Sequence, residues 1–445
     1  MPSPIKLRRL AGLLLALAGA AQAQGLTELY QAARGFDATY LSARALAESA
    51  PYRAAQSKAL NRPNVALAGS ATRTDGSVSN GAFDRSRDAN TKQLALNARQ
   101  PLFNRANDAT IAQAEQSLQA SLAELQVAEQ DLLVRVAQAY FDVLGAQDTL
   151  TTTRASKQAI AEQLASAKRN FEVGTATITD TREAQARFDL ATAQEIAADN
   201  DLRTKRNALD QLVGRSGVEP LPLRQPVRLP QELAPERIEP WLEASRTQHP
   251  QVQRAQAALE IARLETDKAR AGALPTVELV GAVSRSNSNG ASVVGTSSDG
   301  TTQTRSIGVQ LNLPLYAGGS IQNRVEETLR LEERARNDLE AAQRAVALQT
   351  RQLWSAVLSG RAQVGALEAA ESSSRLALEA TQLGYRVGVR VNLDVLNAQT
   401  QLYTTQRDLA RARYDLLVGA LKMRQAAGLL EPGDLQPVEG MLGAQ

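Results

Sequence analysis

Hydrophobic residues recur along the chain with two different spacings, which occur in alternating stretches. In long stretches the apolar side chains recur at the spacing of an amphipathic helix, and between them they alternate residue by residue, as in a strand. The helical stretches are 25–60, 104–172, 181–212, 241–271, 319–384 and 393–428. The strand stretches are 63–75, 91–103, 275–286 and 303–314, with polar loops at 75–90 and 286–303. This pattern predicts a mainly α protein with a small β part.

The same order of elements occurs twice: helix, two strands, long helix, turn, helix. Proline, valine and leucine landmarks recur in both halves, at Pro63, Val65 and Leu67 and again at Pro275, Val277 and Leu279. A repeat of this kind predicts a tandem duplication. The predicted parts are a first repeat at 24–214 with its turn at 173–180, a Pro-rich linker at 215–240, a second repeat at 241–428 with its turn at 387–394, and a polar tail at 429–445.

The first 23 residues have the pattern of a signal peptide. Basic residues precede an apolar run from Leu10 to Ala20, and Ala21-Gln22-Ala23 is a small-residue cleavage site. The alternative is a membrane anchor, but the run is too short to span a bilayer. We predict cleavage after Ala23. Loss of Lys6, Arg8 and Arg9 takes the formal net charge from +3 to 0, so the basic residues do not indicate a nucleic-acid partner.

The strands and the helices each suggest a larger assembly. Strands of about ten residues with one apolar face are typical of transmembrane β-strands, although a half-buried soluble hairpin has the same pattern. A sheet in lipid must close, and four strands are too few, so the transmembrane interpretation requires several chains. The two longest helical stretches, 104–172 and 319–384, would each be roughly 100 Å long. The stretch 393–428 carries a seven-residue seam, which predicts a coiled coil rather than an ordinary core helix: Val395, Leu402, Leu409, Leu416 and Met423.

Catalytic and metal-binding patterns are not found. The chain has no cysteine and a single histidine, His249, which we interpret as a solvated loop residue. There is no P-loop, no Gly-Xaa-Ser-Xaa-Gly and no dinucleotide-binding fingerprint. The sequence therefore predicts no enzyme, no metal site and no cofactor.

The two turns have a shared motif. An aromatic residue is followed by Val-Gly, then by an Asp six residues after the Gly, then by Ala-Gln. The two copies run from Phe171 to Gln185 and from Tyr385 to Gln399. With the repeat and the signal peptide, this motif resembles the TolC family of outer-membrane efflux and type I secretion channels. The resemblance covers nearly all of the mature chain.

The resemblance implies an architecture and partners. The fold would be a long α-helical coiled-coil barrel continuous with a 12-stranded transmembrane β-barrel, formed by three chains that contribute four strands each. The partners would be two further copies of the chain, a periplasmic adaptor, an inner-membrane transporter of ABC or RND type, and outer-membrane lipid. The protein would lie in the outer membrane of a Gram-negative bacterium and extend into the periplasm.

The resemblance also assigns roles to residues of the turns. The gate would be a latch in which Asp180 accepts hydrogen bonds from Tyr385 and Arg390; helix caps and a surface ion pair are the alternative. The positions of the latch are Thr179, Asp180, Tyr385 and Arg390. A ring at the pore constriction would be formed by Asp394, with Asn397 where the family usually has a second Asp. The adaptor would contact Val173, Gly174, Thr175, Val387, Gly388 and Val389.

The function predicted from all of this is an exit duct for a tripartite efflux pump or a type I secretion system. Two other classes of protein remain open. A periplasmic coiled-coil adaptor would have one hairpin instead of two, and a soluble structural protein would leave the alternating strands unexplained.

Overall fold

The computed structural model describes residues 24–79, 84–227, 237–290 and 299–443. The predicted signal peptide, including Ala23, lies outside the described residues. The chain divides into two units, each formed by segments distant in sequence. The first unit comprises Met1–Ala45, Glu124–Val252 and Ala342–Gln445, and the second comprises Leu46–Ala123 and Gln253–Ala341.

Helices make up most of the described chain. They are α1 (Leu26–Phe36), α2 (Ala38–Lys58), α3 (Arg105–Glu172), α4 (Ile178–Val213), α5 (Glu239–Thr247), α6 (Pro250–Ala271), α7 (Ser320–Arg386), α8 (Asn392–Ala426) and α9 (Leu435–Glu439). Within the described residues, none is both long and apolar enough to cross a membrane. This confirms the mainly α prediction.

Asp37 divides the first helical stretch, which the sequence predicted as continuous. Its carboxylate accepts a hydrogen bond from the Tyr40 backbone N–H at 2.8 Å, so it caps the first turn of α2. It also forms a two-pronged ion pair with Arg135 of α3, at 2.9 and 3.0 Å. The Arg135 guanidinium lowers the pKa of this carboxyl below its ordinary value. Asp37 thus begins α2 and attaches it to α3.

The second unit contains an antiparallel sheet of four strands in the order β1-β2-β3-β4. The strands are β1 (Asn64–Ser79), β2 (Asp84–Phe103), β3 (Thr276–Gly290) and β4 (Gly300–Asn312). The predicted polar loop at 75–90 is wrong, because Asp75 pairs with Asp88 inside the ladder. Ladder hydrogen bonds join backbone groups, so polar side chains need not end a strand. The loop predicted at 286–303 likewise begins too early, since β3 continues to Gly290.

One face of this sheet has an exposed apolar stripe. Leu67 of β1 lies opposite Leu96 of β2, which lies opposite Val283 of β3. These side chains are 68%, 45% and 44% exposed. Leu279 of β3 and Val309 of β4 form a further pair on the sheet, and Val309 is 65% exposed. Among the described residues, no other part of the chain covers this apolar stripe. An exposed apolar surface of this kind indicates contact with an apolar partner outside the chain.

The core of the first unit joins both ends of the described chain. Leu26 and Leu29 of α1 are fully buried with Tyr140 of α3 and Leu417 of α8. Leu435 of α9 completes this cluster and is also fully buried. The prediction of a polar tail at 429–445 is therefore wrong. The tail residues that enter the core, such as Leu435, are too few and too irregularly spaced to give a helical period.

The linker pairs with both chain ends. The backbone N–H of Gln24 donates to the carbonyl of Glu219 at 2.9 Å. On the other side, the N–H of Arg224 donates to Met441 at 2.9 Å, and the N–H of Gly443 donates to Pro222 at 3.0 Å. Residues 219–224 thus lie between the first and last described segments.

His249 lies at the break between α5 and α6, which agrees with its interpretation as a loop residue, but the expected solvent exposure is wrong. The residue is only 6% exposed. Gly428, with a φ of 75°, approaches so closely that a Cβ atom there would lie 2.5 Å from the His249 Cα. Burial lowers the pKa of the imidazole to about 4. Its Nδ1 accepts a hydrogen bond from the Gln251 N–H at 3.1 Å, so the ring is neutral.

The predicted seven-residue seam is buried along its whole length. Its five members are each at most 7% exposed, namely Val395, Leu402, Leu409, Leu416 and Met423. Small residues let α7 come close to α8: the nearest side-chain atom to a Cβ at Gly419 would belong to Val357, at 3.6 Å. This close packing is the arrangement that the seam predicted.

Candidate functional site

The two helical hairpins of the first unit end in turns built alike. The turn after α3 closes with a hydrogen bond from the Thr175 N–H to Asn170 at 2.8 Å, and the turn after α7 with one from Val389 to Gly384 at 2.9 Å. Each partner in the second turn lies 214 positions after its counterpart in the first. Gly174 and Gly388 have φ values of 78° and 82°, a region that favours glycine. The same local sequence thus produces the same hairpin tip.

The helix that leaves each tip is capped by the motif Asp. Asp180 accepts hydrogen bonds from the backbone N–H of Thr177 at 3.0 Å and from its hydroxyl at 2.7 Å. The Asp180 N–H in turn donates to the Thr177 hydroxyl, which makes a capping box. In the second tip, Asp394 accepts a longer bond from the Val391 N–H, at 3.5 Å. Since valine offers no hydroxyl, the second cap is only half of the first.

The predicted latch bonds to Asp180 are not formed in the described chain. The Asp180 carboxylate is engaged by Thr177 instead, as the helix-cap alternative expected. Arg390 pairs with Asp394 of its own hairpin at 3.6 Å. The Tyr385 hydroxyl accepts a hydrogen bond from the Asn170 side chain at 3.2 Å. Thr177 lies only three residues from Asp180, so it reaches the carboxylate more readily than a side chain of the other hairpin does. Thr179 lies exposed beside the cap.

Near the tips, three polar contacts join the two hairpins among the described residues. Besides the bond between Asn170 and Tyr385, Arg187 of α4 donates to the Asn397 side-chain oxygen at 2.8 Å. The third runs from the Gln163 amide to the Asn392 side-chain oxygen. Sequence reasoning missed Gln163, Asn170, Arg187 and Asn392. One signal was available: Asn392 and Gln399 lie seven residues apart, so both fall on one face of α8.

An apolar layer lies beside these polar contacts. Leu396 of α8 is fully buried and packs against residues of the first hairpin. Its neighbours in this cluster are Ile160, Leu164, Ala167, Ala184, Phe188 and Ala191. The alanines give room for the leucine. We call the three polar contacts and this layer the cross-hairpin contact.

Farther from the tips, a partly buried hydrogen bond attaches α8 to α3. The Tyr414 hydroxyl donates to the Asp148 carboxylate at 2.7 Å. Burial raises the pKa of Asp148 despite this bond, and the Tyr414 ring stacks on Phe141 at 5.6 Å between centroids. The second hairpin is therefore anchored away from the tip by a hydrogen bond and an aromatic contact.

The predicted adaptor-contact turns are open to solvent. Val173, Val387 and Val389 are 74%, 65% and 76% exposed. Nothing lies within 4 Å of a Cβ built at Gly174 or Gly388. Both tips thus present apolar side chains and accessible backbone. No group of carboxylate and histidine side chains within the described residues is placed to hold a metal ion.

Sequence comparison identifies the family. The family model described as outer membrane efflux protein matches residues 29–215 and again 241–429. The outer membrane protein TolC of Vibrio cholerae is 32% identical over 429 residues, which are 96% of this chain and 95% of that protein. The alkaline protease secretion protein AprF of Pseudomonas aeruginosa is 33% identical over 364 residues, 80% of this chain and 74% of the relative.

Solved structures agree on the fold. The outer membrane protein VceC of Vibrio cholerae superposes with a TM-score of 0.75 at 21% identity, over 91% of this chain and 96% of VceC. CusC superposes with a TM-score of 0.77 at 19% identity, over 91% and 92% of the two chains. Proteins of this family are exit ducts of the outer membrane and not enzymes, which confirms the predicted function class and location. The chain belongs to the outer membrane efflux protein family.

Proposed function

We propose that this chain forms a homotrimeric exit duct, in which three four-stranded sheets join into one closed 12-stranded barrel in the outer membrane. The observation that carries the proposal is the exposed apolar stripe on a sheet whose outer strands, β1 and β4, each pair on one side only among the described residues. Open edges are not tolerated in lipid, and three copies would pair every edge.

The division into two repeats is part of the proposal. The matching hydrogen bonds of the two tips and the two separate family matches, at 29–215 and 241–429, support a tandem duplication. The linker at 215–240 would join the repeats, and the tail at 429–445 would close the core.

The tips would be the gated end of the duct. Gating would involve Thr179, Asp180, Tyr385 and Arg390, and the constriction ring Asp394 and Asn397. In one chain Asp394 shares its charge with Arg390 and Asn397 accepts from Arg187, so we expect weaker cation preference than bare carboxylates would give. A latch between Asp180 and a neighbouring copy would need the cap at Thr177 to open.

The partners would be a periplasmic adaptor and an inner-membrane transporter of ABC or RND type. The exposed valines and accessible glycine backbone of the tips are suited to a hairpin of another protein. The relatives include a protein named for protease secretion and others named for efflux, so both kinds of transporter are proposed.

The stripe provides the test. Leu67→Asp puts a charge on the exposed apolar face, and Ala66→Asp is the matched control on the opposite face of the same strand. We expect Leu67→Asp to reduce outer-membrane insertion and the heat-sensitive trimer band, while Ala66→Asp inserts. Purified wild-type protein should form channels in planar bilayers. Equal insertion of both variants would contradict the assignment of the stripe to lipid, and soluble wild-type protein without channels would refute the proposed duct.

A further inference from the structure

Two amide side chains are buried on the face of α8 that meets the first hairpin. Asn392 is 4% exposed and Gln399 is 5% exposed. The side-chain nitrogen of Asn392 and the side-chain oxygen of Gln399 are both buried without a hydrogen-bond partner. The Asn392 oxygen, by contrast, accepts from Gln163. Leu396 lies between the two amides on the helix and is fully buried.

An unpaired polar atom weakens the contact in which it is buried. Such an atom has lost its hydrogen bonds to water without replacing them, and it recovers them only when the contact opens. A leucine or methionine at the same place would favour the closed contact. The cross-hairpin contact therefore contains groups that oppose each other: Leu396 and the bonds from Gln163 and Arg187 hold α8, whereas the unpaired amide atoms favour its release.

We propose that Gln399 and Asn392 are gate-positioning residues that lower the stability of the closed tip, so that α8 separates from α3 and α4 under a modest pull from a partner protein. The inference rests on the proposed gated duct. Both amides act by being hydrated when the hairpins part. The three cross-hairpin bonds contain no ion pair, since Arg187 binds the neutral amide of Asn397. Opening is then governed by hydration and packing, with little dependence on salt.

Gln399→Leu is the direct test, because the Gln399 side-chain oxygen makes no hydrogen bond that the substitution could remove. Gln401→Leu is the matched control: it makes the same chemical change on the exposed side of α8, where the amide reaches only Thr405 of the same helix. We expect Gln399→Leu to lower the open probability of single channels in planar bilayers on the order of tenfold, the effect of one unpaired buried polar group. Gln401→Leu should match the wild type. Arg187→Ala, which removes a cross-hairpin bond, should raise the open probability.

The outcomes separate the two proposals. A wild type without channels would refute the proposed duct itself. If the channels have normal conductance and Gln399→Leu leaves their open probability unchanged or raises it, the release role is overturned and the proposed duct stands. Should the leucine variant fail to assemble, Gln399→Met keeps the side-chain length, removes the unpaired oxygen and carries the same expectation. A melting temperature of the trimer at or above the wild-type value must accompany the reduced opening, because the closed contact is stabilised.

Discussion

Because of His249, we expect this protein to become less stable as the pH is lowered from neutral. It is the only histidine in the chain, so titration of a single imidazole can be followed. Burial keeps the ring neutral in the folded chain, whereas the unfolded chain binds a proton near pH 6.5. The stabilising contribution is therefore complete above pH 6.5 and is lost as the pH falls towards about 4.

The magnitude follows from the two pKa values. At about 1.4 kcal/mol for each pKa unit, the difference between 6.5 and about 4 amounts to about 3 kcal/mol when the loss is complete. By the linkage relation, about 2 kcal/mol of this stabilisation is lost when the pH reaches 5. His249→Asn is the suitable variant, because the asparagine oxygen can take the place of Nδ1 as acceptor for the Gln251 N–H. The variant starts less stable, so the pH dependence is the quantity to compare.

The assay is thermal unfolding of detergent-solubilised protein at fixed concentration and heating rate between pH 8 and pH 5. We expect the wild type to lose markedly more stability than His249→Asn over this range. A nuclear magnetic resonance titration of the imidazole should give a midpoint well below 6.5. Parallel pH profiles for the two proteins, or an ordinary midpoint, would refute the reasoning from burial.

Substitutions at Leu396, Gly388 and Asp37 test separate parts of the fold. Leu396→Ala should destabilise the cross-hairpin contact by about 2–5 kcal/mol through the cavity it leaves, measured by hydrogen exchange of residues 160–167. Gly388→Ala should cost about 1–2 kcal/mol of backbone strain and speed exchange at Val389, whereas Gly365→Ala, inside α7, should be neutral or stabilising. Asp37→Asn should cost about 1 kcal/mol by losing the Arg135 pair, and Asp37→Ala about 1 kcal/mol more by losing the cap, both measured by melting.

Contrary results would each have a definite meaning. Unchanged exchange in Leu396→Ala would show that the hairpins are held by their polar contacts alone. Equal effects of Gly388→Ala and Gly365→Ala would remove the strain argument for the tip. Equal melting of Asp37→Asn and Asp37→Ala would show that the cap contributes nothing measurable.

Periodicity predicted the long helices, the tips and the positions of the strands because each repeats a simple spacing over many residues. It could not predict the partners of Asp180, since a local bond to Thr177 competes with any bond to a second hairpin. Which faces of α4 and α8 meet depends on how the helices are rotated, and this decides the contact between Arg187 and Asn397. His249 is buried by Gly428, far away in sequence, which no local pattern records.

The core that contains both Leu26 and Leu435 has a consequence for the order of folding. These residues are 409 positions apart, yet both are fully buried in one cluster. A contact of this sequence separation carries a high loop-closure cost and forms late. During export, the part of the α1 face that Leu435 covers therefore stays exposed until almost the whole chain has arrived. The long hairpins have local contacts and can form before the last residues arrive. We therefore expect periplasmic chaperones to act chiefly on α1 and the linker of the nascent chain.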